Sequence, residues 1–122
     1  MSGPARTLLV IDDDGDIRRS IADALEDEGW RVVGAAGGHE ALALLVEGQL
    51  RPDVILLDMM MPEMDGWAFR AEQQRRPEIA AIPIIVFTAY GVPPDTVTRL
   101  QARGVLRKPL RLEQLLSALA RI

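Results

Sequence analysis

Three carboxylates, a hydroxyl and an ammonium hold equivalent places in this sequence, each at the C-terminal end of a short β-rich run. Asp12 closes TLLVID (7–12) with Asp13 beside it, Asp58 closes DVILLD (53–58), Thr88 closes IPIIVFT (82–88) and Lys108 closes GVLRK (104–108). If the runs lie side by side, these groups meet on one edge. Two carboxylates about 5 Å apart repel by roughly 3 kcal/mol at an effective dielectric near 20, so three of them need a cation. Lys108 supplies one charge. A hard divalent ion supplies more, and Mg²⁺ suits a site with few protein carboxylates and several waters.

The elements that must position these groups alternate. A fifth β-rich run, WRVVGAA (30–36), joins the four already named, and helical spacing fills the gaps. Ile17, Ile21, Ala24 and Leu25 share one helical face and Gly29 follows as a stop. Ala41, Leu42, Leu45 and Val46 form a second stripe before Gly48, and Leu112, Leu115, Leu116 and Leu119 form the last. Pro94 suits the first turn of a fourth helix. In the third, GWAFRAEQQRRP, Trp67 and Phe69 are apolar, but Arg70 and Gln73 stand where the core stripe should continue.

Five strands alternating with five helices imply a parallel sheet covered on both faces, which is why the strands read as continuous apolar runs. Crossovers are right-handed, and the common solution for five βα units is the flavodoxin-like doubly wound order 2-1-3-4-5. In that order the first and third strands are neighbours. Asp58 then ends a buried strand because the strand holds it rigidly at the edge where ligands bind.

Composition removes other classes. A chain of 122 residues is one domain, with its core over residues 7–121. No apolar run approaches the roughly 20 residues that span a bilayer, and MSGPARTLLV lacks a signal pattern, so a cytoplasmic protein with no membrane contact is expected. The absence of cysteine excludes disulfides, thiol catalysis and thiolate metal sites. A net charge of −4 argues against a nucleic-acid footprint, and Arg75-Arg76 reads as a solvated helix end.

As a set, IDDD (11–14), LLDMMMPEMDG (56–66), VFTA (86–89) and LRKP (106–109) resemble the receiver domain of two-component response regulators, over essentially the whole chain. The resemblance implies that Asp58 is the phosphoacceptor. It makes Asp13 the direct Mg²⁺ ligand, Asp12 a partner acting through water, and the Met60 carbonyl the main-chain ligand. Thr88 matches the switch hydroxyl, Lys108 the phosphate-pairing lysine, and Gly66 the glycine of the loop after the acceptor strand. Lys108–Pro109 is expected to be cis, a bond type almost confined to proline. The implied partners are a sensor histidine kinase or a histidine phosphotransfer protein, with the domain a monomer or weak dimer.

Other roles for these residues are blander or fail. Asp14 and Asp16 read as caps of the first helix. His39 heads the second helix without an acidic or histidine partner in sequence. Met59, Met60 and Met61 read as loop packing, Met60 offering only its carbonyl, and Trp30 and Trp67 as partly buried packing residues. DDDGD also looks like the nucleophile loop of haloacid-dehalogenase-type phosphatases, but only Glu113 lies near Lys108 to serve as their late acid. As a calcium loop it places Ile17 where glycine is wanted and Asp23 where glutamate is wanted. The alternative from another class is a receiver-like docking module that phosphate does not switch.

Two departures bear on signal output. The aromatic switch position, three before the lysine, holds Val105. The span from Thr88 to Lys108 is about two residues shorter than is usual, roughly half a helical turn. Tyr90, in the loop after Thr88, is then the next aromatic along the chain. The chain closes at Ile122, where the fifth helix should end, which fits a single-domain regulator, a relay intermediate or a receiver from a hybrid kinase.

Overall fold

The structure, a computed structural model, describes residues 5–89 and 91–122. Tyr90, singled out above, lies outside the described residues.

The elements alternate as expected: β1 (Thr7–Ile11), α1 (Gly15–Glu26), β2 (Arg31–Ala35), α2 (Gly38–Val46), β3 (Val54–Asp58), α3 (Gly66–Gln74), β4 (Ile84–Thr88), α4 (Thr96–Leu100), β5 (Val105–Arg107) and α5 (Leu112–Ala120). The strands form one parallel sheet in the order β2-β1-β3-β4-β5. The doubly wound flavodoxin-like arrangement is therefore present.

Strand periodicity divides the core in two. On one face Leu9, Ile11, Ile55, Leu57, Ile84 and Val86 meet Ala41 and Leu45 of α2, Phe69 of α3 and Leu100 of α4. On the other, Leu8, Val10, Val54, Leu56, Ile85 and Phe87 meet Ile21 and Leu25 of α1 and Leu115 and Leu119 of α5. β3 and β4 are buried along their whole length, so Asp58 and Thr88 sit at the ends of the two most deeply buried strands.

The caps follow sequence chemistry. Asp14 closes the start of α1, its carboxylate accepting from the Asp16 and Ile17 amides at 2.9 and 3.4 Å. Asp65 does the same for α3 through the Ala68 amide at 2.9 Å. Gly29 leaves α1 with φ +88°, a conformation that favours glycine.

Two details differ from expectation. The fourth helix is five residues long and starts at Thr96, two residues after Pro94. The polar residues interrupting the α3 stripe do not point to solvent: Arg70 and Gln73 are buried, at 5% and 0% exposure. Arg70 Nε donates to the Leu100 carbonyl at 2.9 Å, and Nη1 donates to Gln73 Oε1 at 2.7 Å. Gln73 Nε2 in turn donates to the carbonyls of Ile79 and Ile82 at 2.9 and 3.1 Å. A buried polar group is tolerable when its hydrogen bonds are made, and these bonds tie α3 to the end of α4 and to the approach to β4.

Candidate functional site

The C-terminal edge of the sheet gathers the groups that the sequence placed at strand ends. Carboxylate oxygens of Asp12, Asp13 and Asp58 all lie within 4.8 Å of one another. Asp12 is fully buried and Asp58 is 2% exposed, whereas Asp13 reaches solvent. Lys108 places its ammonium 2.8 Å from Asp12 Oδ2 and 3.6 Å from Asp58 Oδ2. Thr88 is buried at the end of β4, and its carbonyl accepts from the Lys108 amide at 2.8 Å, joining the two strand ends.

Two of the three carboxylates are oriented by backbone amides. Asp58 Oδ1 accepts from the Met60 amide at 3.1 Å, and Asp12 Oδ1 accepts from the Asp14 amide at 2.9 Å. Asp12 Oδ2 is buried and faces the Lys108 ammonium at 2.8 Å, with no other hydrogen-bond partner among the described residues, so it keeps acceptor capacity toward a cation. The Lys108–Pro109 bond is cis, as expected.

Burial chiefly raises the pKa of Asp58 above the ordinary aspartate value; the Met60 amide opposes this, and the Asp12 charge adds to it. For Lys108, burial favours the neutral amine, but the hydrogen bond and charge of Asp12, followed by those of Asp58, outweigh it and hold the pKa up. The Asp12 carboxylate contributes to both shifts, second to burial as a cause of the rise at Asp58 and the leading cause of the rise at Lys108.

The loop after β3 explains its methionines and glycine. Met59 and Met61 are buried at 3% and 8% exposure while Met60 is 62% exposed, so two pack and the third contributes backbone alone. A Cβ on Gly66 would stand 2.8 Å from Met59 Cα and 3.0 Å from the Asp58 carbonyl. Only glycine lets α3 begin directly beneath the Asp58 loop.

Two contributors were not evident from sequence. Phe87 lies beneath Lys108, its ring centroid 5.0 Å from the ammonium; its place just before Thr88 was the available signal. Arg18 Nη1 donates to the Asp12 carbonyl at 2.7 Å, and since that acceptor is backbone, no residue pairing announced it. His39 is exposed, and Trp30 and Trp67 are partly buried beneath Arg6 and Arg99 at 4.7 and 4.5 Å, as packing residues would be.

This fold matches known proteins over nearly the whole chain. Residues 8–120 match the family model of the response regulator receiver domain. The DNA-binding dual master transcriptional regulator RpaA of a Synechocystis species is 36% identical over 112 residues, covering 90% of this chain and 46% of the relative. The response regulator MprA of Mycolicibacterium vanbaalenii is 38% identical, covering 90% of this chain and 47% of the relative. The chain thus spans about half the length of these curated relatives. Among solved structures, the chemotaxis protein CheY4 of Vibrio cholerae superposes with a TM-score of 0.87 at 33% identity, covering 97% of this chain and 98% of that one. A receiver protein from Pseudomonas putida gives 0.88 at 26% identity, covering 99% and 100%.

The chain belongs to the response regulator receiver domain family, the phosphoacceptor modules of two-component systems. Among the described residues no helix is long and apolar enough to cross a membrane.

Proposed function

We propose that Asp58 is the residue that accepts the phosphoryl group, with Mg²⁺ held by Asp13, Asp58 and the Met60 carbonyl and with Asp12 acting through water. The observation that carries this reading is the convergence of three carboxylates within 4.8 Å at the end of the buried β3 strand. The donors are oxygens throughout, which suits a hard cation, and Asp12 Oδ2 is a buried oxygen with acceptor capacity to spare. When bound, Mg²⁺ supplies charge neutralisation for the transferring phosphoryl oxygens.

The chain's own residues do the rest. A carboxylate oxygen of Asp58 attacks phosphorus, forming an acyl phosphate as the bond from phosphorus to the donor's nitrogen or oxygen breaks. Phosphoryl transfer needs positioning and charge compensation more than covalent help, and the Met60 amide fixes the attacking carboxylate. Lys108 answers the charge gained by Asp58, and the Thr88 hydroxyl donates to the new oxygens. Hydrolysis of the acyl phosphate in the same pocket resets the domain, so the chain acts on itself rather than on a separate substrate.

A sensor histidine kinase or histidine phosphotransfer protein is the donor in this reading, in the cytoplasm, with the domain a monomer or weak dimer. DNA binding, named for RpaA, is not proposed for residues 1–122, since their net charge is −4. Intact-mass measurement after acetyl phosphate and Mg²⁺ tests the assignment: one phosphoryl group should add to the wild type and none to Asp58→Asn. Labelling that persists in the variant would refute Asp58 as acceptor, and no labelling of the wild type would favour a docking module that phosphate does not switch.

A further inference from the structure

The loop from β1 to α1, which carries Asp12 and Asp13, is held at Asp12 on every side. The Asp12 amide donates to the Ala35 carbonyl at 3.1 Å. Oδ1 accepts from the Asp14 amide at 2.9 Å, and Oδ2 faces the Lys108 ammonium at 2.8 Å. The fourth contact differs in kind. The Asp12 carbonyl, which accepts from Arg18 Nη1 at 2.7 Å, belongs to the planar peptide group that leads into Asp13. Rotating that plane displaces the nitrogen and Cα of Asp13, so the Arg18 bond sets where the Asp13 side chain starts. Asp13 is exposed, and among the described residues no side-chain hydrogen bond or ion pair orients its carboxylate. Among the described residues, its aim is set by backbone.

Arg18 is itself seated. It is half-buried on α1, and its stem crosses β2 over Gly34. A Cβ on Gly34 would stand 3.2 Å from Arg18 Cδ and 3.5 Å from Nε, the first tighter than an ordinary contact. Gly34 pairs in register with Val10 as a regular strand residue. Its missing side chain therefore serves space rather than an unusual backbone angle.

We propose that Arg18 is a positioning residue for the metal site: it fixes the Asp12–Asp13 peptide plane so that Asp13 meets the cation already aimed, and Gly34 provides the bed for its stem. The proposal rests on the Mg²⁺ reading above. Electrostatics alone requires the opposite behaviour, because a cation beside the pocket repels Mg²⁺ and its removal would tighten binding. Positioning requires that removal weaken it. The sign of the effect therefore decides.

Isothermal titration of Mg²⁺ into the unphosphorylated chain is the test, with Arg18→Ala, Arg18→Lys, Gly34→Val, the Arg18→Ala/Gly34→Val pair and Asp13→Ala. Arg18→Ala should raise the Kd about tenfold, the size typical of losing a group that orients a ligand. Arg18→Lys, which keeps a cationic donor, should recover most of the affinity. Gly34→Val should weaken binding in the same direction, and the pair should be no weaker than Arg18→Ala, since both act through one contact. In phosphorylation by acetyl phosphate, Arg18→Ala should need more Mg²⁺ for half-maximal rate yet reach the wild-type rate at saturation. Unchanged or tighter Mg²⁺ binding in Arg18→Ala overturns the proposal, as does failure of Arg18→Lys to recover it. A wild type that binds no Mg²⁺, or whose binding Asp13→Ala leaves intact, overturns the metal reading itself and is recognisable as that distinct failure.

Discussion

The Lys108 ammonium stands 3.6 Å from the Asp58 carboxylate but 2.8 Å from that of Asp12. In this state the lysine is a partner of Asp12 more than of Asp58, the acceptor proposed above. A phosphoryl group on Asp58 adds oxygens and charge on the side where Lys108 already waits. Lys108→Ala should therefore leave Mg²⁺ binding in place and slow phosphorylation by acetyl phosphate on the order of a hundredfold, the effect of losing one preorganised charge in a transition state. An intact-mass time course measures it. A rate close to wild type would remove Lys108 from the chemistry.

Asp58 also makes stability depend on pH. Burial, with Asp12 adding to it, holds its folded pKa above the ordinary aspartate value of 3.8. The folded state thus favours the protonated form. The stabilisation this gives is fully present below the unfolded value and lost as pH rises through the folded one. At neutral pH an ionised Asp58 opposes folding. Asp58→Asn should melt higher than wild type at pH 7 without Mg²⁺, and the difference should shrink toward zero as pH falls to the unfolded value. Calorimetric scans across that range check the sign. A variant that melts lower at pH 7 would contradict it.

Mg²⁺ should relieve the same repulsion. A ligand at ten times its Kd stabilises by about 1.4 kcal/mol, so millimolar Mg²⁺ should raise the wild-type melting temperature. Asp13→Ala should abolish the rise, because the remaining carboxylates, Asp12 and Asp58, are the two already facing Lys108. Equal responses in the two proteins would exclude Asp13 as the metal ligand.

What the sequence disclosed, and what it hid, follow from one distinction. Asp58 and Thr88 were legible because a strand buried on both faces can carry a polar side chain only at its end, and each of those apolar runs stops at one; Lys108 follows the short, half-buried edge strand β5 and was legible from the LRKP stretch. Their placement needed only strand order. Arg70 and Gln73 broke the α3 stripe and gave no sign of their partners, because those partners are chiefly carbonyls at residues 79, 82 and 100. Arg18 was hidden for the same reason, as its partner is the Asp12 carbonyl. The start of α4 was misjudged because Pro94 suits several turn positions as well as a first helical turn.

The Arg70–Gln73 network carries its own stability prediction. Arg70→Met keeps the apolar stem but strands Gln73 Oε1 and the Leu100 carbonyl, which are buried acceptors. Urea unfolding should show a loss of about 2–4 kcal/mol for two such groups, with Mg²⁺ affinity unchanged. A loss below 1 kcal/mol would mean that water replaces the guanidinium without penalty.

The same network constrains how the phosphoryl signal leaves the site. Val105, at the position where the receiver resemblance implies an aromatic, packs against the cluster that holds Leu100 and Ala102. It has one strongly favoured rotamer and no ring to swing. The C-terminal end of α4 is pinned from α3, by Arg70 on the carbonyls of Leu100 and Gln101 at 2.9 and 3.4 Å and by Arg99 stacked over Trp67 at 4.5 Å. Its N-terminal end carries fewer side-chain ties among the described residues: Asp95 makes no side-chain cap bond, and the buried Thr96 hydroxyl has no hydrogen-bond partner there. A change that begins at Thr88 and reaches α4 therefore meets a clamp at residue 100. Beryllofluoride, a phosphate mimic, should perturb residues 88–95 more than residues 104–116 in amide shifts or hydrogen exchange. Arg70→Met should let the change spread past Leu100, because the clamp is gone. A large response centred on Val105 and α5, indifferent to Tyr90→Ala and to Arg70→Met, would show that the usual relay through β5 works here without its aromatic ring.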